Sequence, residues 1–76
     1  MVQAYIMVKT APGSSQRLLE AIREYDGVVE AHIVAGRYDI VTEAERGEVY
    51  DVMRSVATGI RDLDGVVDTR TYMCLE

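Results

Sequence analysis

A chain of 76 residues, 49% hydrophobic and 28% charged, makes one folded domain at most, so short that it buries only about 60% of the surface its unfolded form exposes. With one cysteine and one histidine it has neither an internal disulfide nor a metal site to reinforce it, so self-association is the expected staple and no cofactor is expected. The formal charge of −5, with eight basic residues placed singly, excludes the basic stripe of a nucleic-acid binder, and no apolar run nears the roughly 20 residues of a membrane span.

The alternation of Val2, Ala4, Ile6 and Val8 with Gln3, Tyr5, Met7 and Lys9 predicts a first strand over residues 2–9, with one face for the core. Ala11-Pro12-Gly13-Ser14-Ser15 is turn chemistry ending on a candidate N-cap. Residues 16–25 then carry Leu18, Leu19, Ile22 and Tyr25 on one helical stripe, and Gly27 stops that helix. Residues 28–34 read as a second strand, with Val29, Ala31 and Ile33 toward the core and Val28, Glu30, His32 and Val34 on the reverse. Ala35-Gly36-Arg37 is short enough for a hairpin turn into a third strand over residues 38–45. After Arg46-Gly47 a second helix is marked by Val49, Val52, Met53, Val56, Ile60 and Leu63 at spacings of three and four. Gly59 inside it costs about 1 kcal/mol relative to alanine, a sign of close packing or early fraying. Gly65 closes the helix region, and residues 66–75 form the last strand.

Two halves are visible in this order, because Asp26-Gly27-Val28-Val29-Glu30 returns as Asp64-Gly65-Val66-Val67-Asp68. The order βαββαβ is an α+β, ferredoxin-like arrangement, a four-stranded antiparallel sheet with both helices on one face. The other face would carry Gln3, Tyr5, Met7, Val28, His32, Val34, Val41, Tyr72 and Cys74. That set is too apolar for water, so the domain is expected to dimerise through the sheet.

Little in the chain suggests catalysis. His32, with Glu30 on the same side of its strand, fits the commoner role of an interface histidine. Cys74 has no sequence neighbour to activate it. Pro12-Gly13-Ser14-Ser15 lacks the Cys-x-x-Cys of heavy-metal carriers built on this fold. Tyr5 and Tyr72 on an acidic sheet fall short of a base-stacking platform. Gly36-Arg37-Tyr38-Asp39 is more informative. Free backbone N–H groups in a turn can hold a carboxylate, Asp39 an ammonium, and Tyr38 can wall a pocket. The same residues also suit a plain hairpin turn with Gly36 at positive φ and Asp39 bonding the turn backbone.

Here the motifs resemble a known family. Val34-Ala35-Gly36-Arg37-Tyr38-Asp39-Ile40-Val41 resembles the glycine-x-aromatic-aspartate turn of the Lrp/AsnC effector-binding domain. Leu63-Asp64-Gly65-Val66-Val67-Asp68-Thr69-Arg70-Thr71-Tyr72 is similar to its closing strand, and Val8-Lys9-Thr10-Ala11-Pro12-Gly13 to its first strand and turn. The resemblance runs over residues 2–76 and implies a stand-alone form of one regulatory domain over residues 1–76, a sheet-packed homodimer assembling into larger homo-oligomers, and an amino-acid effector between subunits. Gly36, Arg37, Tyr38 and Asp39 match the effector loop; Thr69, Thr71 and Tyr72 match closing-strand positions near the effector. Family members usually carry an N-terminal DNA-binding helix-turn-helix, whereas this sequence starts at the first strand of the effector domain. Direct nucleic-acid contact is therefore not expected; with no apolar span and no signal-peptide pattern in its Met1-Val2-Gln3 start, the chain is expected to be cytoplasmic without membrane contact, and to act alone or by mixed assembly with full-length Lrp/AsnC regulators. The alternatives are a purely structural oligomerisation domain and a small dimeric α+β-barrel enzyme built on His32 and Tyr5.

Overall fold

The computed structural model describes residues 1–75. Its elements are β1 (Val2–Thr10), α1 (Ser15–Arg23), β2 (Val28–Ile33), β3 (Ile40–Arg46), α2 (residues 49–61) and β4 (Val66–Met73). All pairings are antiparallel, in the order β2-β3-β1-β4, the ferredoxin-like arrangement expected. Alternation along the strands sends Ala4, Ile6, Val8, Ala31, Ile40 and Ala44 to one face, where they meet Leu18, Leu19 and Ile22 of α1 and Val56, Ala57 and Ile60 of α2. A fully buried side chain of this kind contributes about 1.5–3 kcal/mol. Thr42 shares that face opposite Ile6, with its hydroxyl buried and unpartnered. No helix among the described residues is long and apolar enough to cross a membrane.

The expected facing of β2 is corrected by a bulge. Val28 lies opposite Ala44 and Glu30 opposite Glu43, so Val29 is an extra residue. One inserted residue reverses the alternation. Val28 therefore packs against the core while Val29 is 51% exposed. Ile33, opposite Ile40, lies at the sheet margin and is also exposed. The repeated half has the same defect: Lys9 faces Asp68 and Thr10 faces Val66, leaving Val67 extra and exposed. Gly27 and Gly65 precede the two bulges with φ of 99° and 101°, and their carbonyls accept the N–H groups of Glu45 and Ala11, each at 2.8 Å. The internal repeat is thus a structural one, carried down to its bulges and left-handed glycines.

At the start of α1 the N-cap position belongs to Ser14, whose side chain makes no cap bond; the Ser15 hydroxyl instead hydrogen-bonds that of Thr10 at 2.7 Å. At the far end, the Arg23 guanidinium donates from Nε and Nη2 to the Ala31 carbonyl at 3.2 and 2.7 Å. Val34 N–H donates to the Asp39 carbonyl at 2.9 Å, and counting back along the ladder turns the Ala31 carbonyl outward. Arg23 therefore covers the β2 edge of the sheet, a protection against stray strand pairing.

Helix α2 is α-helical over Val49–Asp51, π-helical over Val52–Ala57 and α-helical over Thr58–Arg61. The wider π turn shifts the phase of the helix. Val52, Val56 and Ile60 are buried, whereas Val49 and Met53, expected on the same stripe, are 52% and 46% exposed. Gly59 marks close packing, as expected. The Tyr25 hydroxyl donates to its carbonyl at 2.9 Å, and a Cβ at Gly59 would stand 2.7 Å from the Tyr25 ring. Gly59→Ala should therefore destabilise the fold by about 1–2 kcal/mol through overpacking, against the gain of about 1 kcal/mol usual in a helix. In a Tyr25→Ala background the same change should become stabilising; urea denaturation of the four proteins tests the sign reversal.

Candidate functional site

The sheet face away from the helices is organised by charge. Along β1 it presents Gln3, Tyr5, Met7 and Lys9, and the register fixes their neighbours. Glu45 lies opposite Gln3, Glu43 opposite Tyr5, and Glu30 opposite Glu43, so this end is acidic. Gln3 Nε2 donates to Glu43 Oε2 at 2.7 Å, and His32 Nε2 lies 3.0 Å from Glu30 Oε1. The Glu43 carboxylate, then desolvation, Cys74 and Glu30, hold the Tyr5 hydroxyl above the ordinary phenol range. The middle is apolar, with Met7 between Val41 and Arg70 and with Tyr5 beside Tyr72.

The opposite end is basic. Here the loop between β2 and β3 is wider than the expected three-residue turn: it runs from Val34 to Asp39, and β3 begins only at Ile40. It lays Arg37 and Tyr38 against β1 and β4, and Lys9 Nζ donates to the Arg37 carbonyl at 3.3 Å. The result is a cleft with a cavity volume of about 460 Å³, lined by Lys9, Arg37, Tyr38, Asp68, Arg70 and Tyr72. The Tyr38 hydroxyl, then the Asp68 carboxylate and Tyr72, hold the Arg70 guanidinium above its ordinary range. Such a set can clamp a carboxylate between guanidinium groups and accept an ammonium on Asp68, between two aromatic walls.

The residues singled out by sequence are not all brought together. Arg37, Tyr38 and Tyr72 line the cleft. Gly36, with φ of 157°, lies in the loop with open space where a Cβ would stand. Asp39 is turned inward: its Oδ2 accepts the Thr10 N–H at 2.8 Å and the Thr10 hydroxyl at 3.3 Å. Thr69 and Thr71 lie opposite Val8 and Ile6, on the helix side of the sheet. They line a separate groove of about 270 Å³ with Met53, Ala57, Thr58 and Arg61, beside the π turn of α2. Cys74 N–H donates to the Gln3 carbonyl at 2.8 Å, which by alternation turns the N–H and C=O groups of Thr69, Thr71 and Met73 out along the free β4 edge. Asp68 Oδ1 accepts the Thr69 N–H at 2.9 Å. Sequence reasoning missed Lys9, Asp68 and Arg70; the signal was the β1–β4 register, which sets Lys9 opposite Asp68 and Met7 opposite Arg70. His32 and Tyr5 do converge, with Glu30, Val41 and Glu43, but on a space of only about 90 Å³.

Residues 3–76 match the family model described as the Lrp/AsnC ligand binding domain. An HTH-type transcriptional regulator of Pyrococcus horikoshii is 32% identical over 73 residues, which are 92% of this chain and 49% of that protein. The chain spans about half the length of the curated relatives it matches. Among solved structures, the Thermus thermophilus protein TTHA0845 superposes with a TM-score of 0.93 at 32% identity, covering 100% of this chain and 95% of that one. The Neisseria meningitidis transcriptional regulator NMB0573, solved as a complex with L-Met, shares the fold with a TM-score of 0.84 at 19% identity, covering 99% of this chain and 50% of its own.

Proposed function

Because the chain belongs to the Lrp/AsnC ligand-binding domain family, a family of transcription regulators and not of enzymes, we propose that it is an amino-acid-sensing assembly module. Two copies pack through the open sheet face, and a free amino acid binds in the cleft at the basic end of that face, bordered by the second subunit. The observation that carries this reading is the cleft itself, which joins the effector-loop residues Arg37 and Tyr38 to Tyr72 and Arg70 of β4, with Asp68 between them. The L-Met complex of the Neisseria protein supports a ligand of this class on this fold. Ligand occupancy reaches DNA through full-length regulators in mixed assemblies. The net charge of −5 disfavours duplex-DNA binding by this segment itself.

A thermal-shift screen of the twenty amino acids tests the reading. A ligand present at a hundredfold excess over its Kd adds about 2.7 kcal/mol, which in a domain of this size raises the midpoint by about 10 °C or more at about 4–8 °C per kcal/mol. Arg37→Gln should weaken that ligand about tenfold by removing a charged hydrogen bond, whereas Thr71→Val, on the other side of the sheet, should leave the affinity within about twofold. If none of the twenty shifts the midpoint, the domain is an assembly unit alone.

A further inference from the structure

The chain has eight basic residues and a net charge of −5, yet Lys9, Arg37 and Arg70 line one cleft in which Asp68 is the single carboxylate. We propose that the ligand of this cleft is an amino acid with an acidic side chain, aspartate or glutamate. The inference rests on the amino-acid-binding reading above and names the class within it. A neutral zwitterion uses one cation and one carboxylate. Lys9 and Asp68 already face each other across β1 and β4, and Lys9 is further engaged by the Arg37 carbonyl, so a neutral ligand leaves an excess of guanidinium charge. A dicarboxylic amino acid, with one net negative charge, halves it: one carboxylate for Arg37, one for Arg70, each suited to a two-pronged hydrogen bond, and the ammonium for Asp68. The volume of about 460 Å³ lies within the roughly 300–1,000 Å³ of small-molecule sites, and Tyr38 and Tyr72 supply the walls.

Calorimetric titration of the full chain with aspartate, glutamate, asparagine, glutamine and glutarate tests the class. Each amide has the shape of its acid without the charge, and glutarate has both carboxylates without the ammonium. One acid is expected to bind at least about tenfold more tightly than its amide, with a preference that falls as salt is raised, and more tightly than glutarate. Arg70→Gln should shrink the acid-to-amide ratio to less than about threefold while the circular dichroism stays that of the parent. An amide that binds as well as its acid, another amino acid that binds better, or glutarate that equals glutamate would overturn the acidic class and leave the amino-acid reading standing in the first two cases. Binding by none of the twenty amino acids would overturn both.

Discussion

Met7→Glu is expected to convert the assembled protein into a monomer. Met7 lies at the centre of the open sheet face, between Val41 of β3 and Arg70 of β4, and its side chain points away from the helices. A carboxylate placed there must be desolvated when two sheets meet, together with the Arg70 guanidinium opposite it, and the effective penalty is several kcal/mol per buried ion. In a two-fold dimer the substitution occurs twice in one interface, so a loss of about 4 kcal/mol, or about a thousandfold in the dimer dissociation constant, is a conservative expectation. The core of Ile6, Val8 and Ile40 is on the other side of the sheet, so circular dichroism should remain that of the parent. Sedimentation velocity at micromolar concentration reads the outcome. An unchanged dimer would place the interface elsewhere, at the β4 edge or at exposed apolar groups such as Val49, Tyr50 and Met53 of α2.

Asp39→Ala is expected to damage the fold before it touches any ligand. The Asp39 carboxylate holds the N–H and hydroxyl of Thr10, a residue only 8% exposed, and the Asp39 N–H donates to the Val8 carbonyl at 2.9 Å. Removing the carboxylate leaves a buried donor without a partner, at a cost of about 1.5–3 kcal/mol. That corresponds to a fall of about 6–24 °C in the melting midpoint at about 4–8 °C per kcal/mol. Asp39→Asn keeps one acceptor oxygen and should recover part of the loss. An Asp39→Ala protein that melts with the parent would show that the carboxylate is free, as the turn motif alone suggested, and available to a ligand ammonium.

Strand identity was legible from the sequence wherever alternation ran unbroken. The Val2–Val8 pattern put Ala4, Ile6 and Val8 in the core, where they are. It failed at Val28-Val29, because a bulge adds a residue without any change in composition; the twin Val66-Val67, after an equivalent glycine, was the available hint. The facing of Val49 and Met53 was lost to the π turn in α2, which breaks the spacing of three and four that sequence reasoning assumes. Of the site, the loop residues Arg37 and Tyr38 were visible because they are contiguous and chemically distinctive. Lys9, Asp68 and Arg70 were not, because each looks like an ordinary surface charge until strand pairing sets it beside the loop. Asp39 shows the converse: its motif was legible, but only the tertiary contact with Thr10 shows where its carboxylate is used.

If assembly and ligand binding share one face of the sheet, then breaking the dimer must also weaken the ligand. Titrating the same amino acid into the parent protein and into Met7→Glu, both at a concentration where the parent is fully dimeric, decides the matter. Saturable binding to the parent is expected, with an affinity at least about tenfold weaker both in the monomeric variant and in the parent diluted below its dimer dissociation constant, where Arg70 has no new carboxylate opposite it. Equal affinity in the two proteins would refute the shared face, because the cleft would then be complete within a single chain.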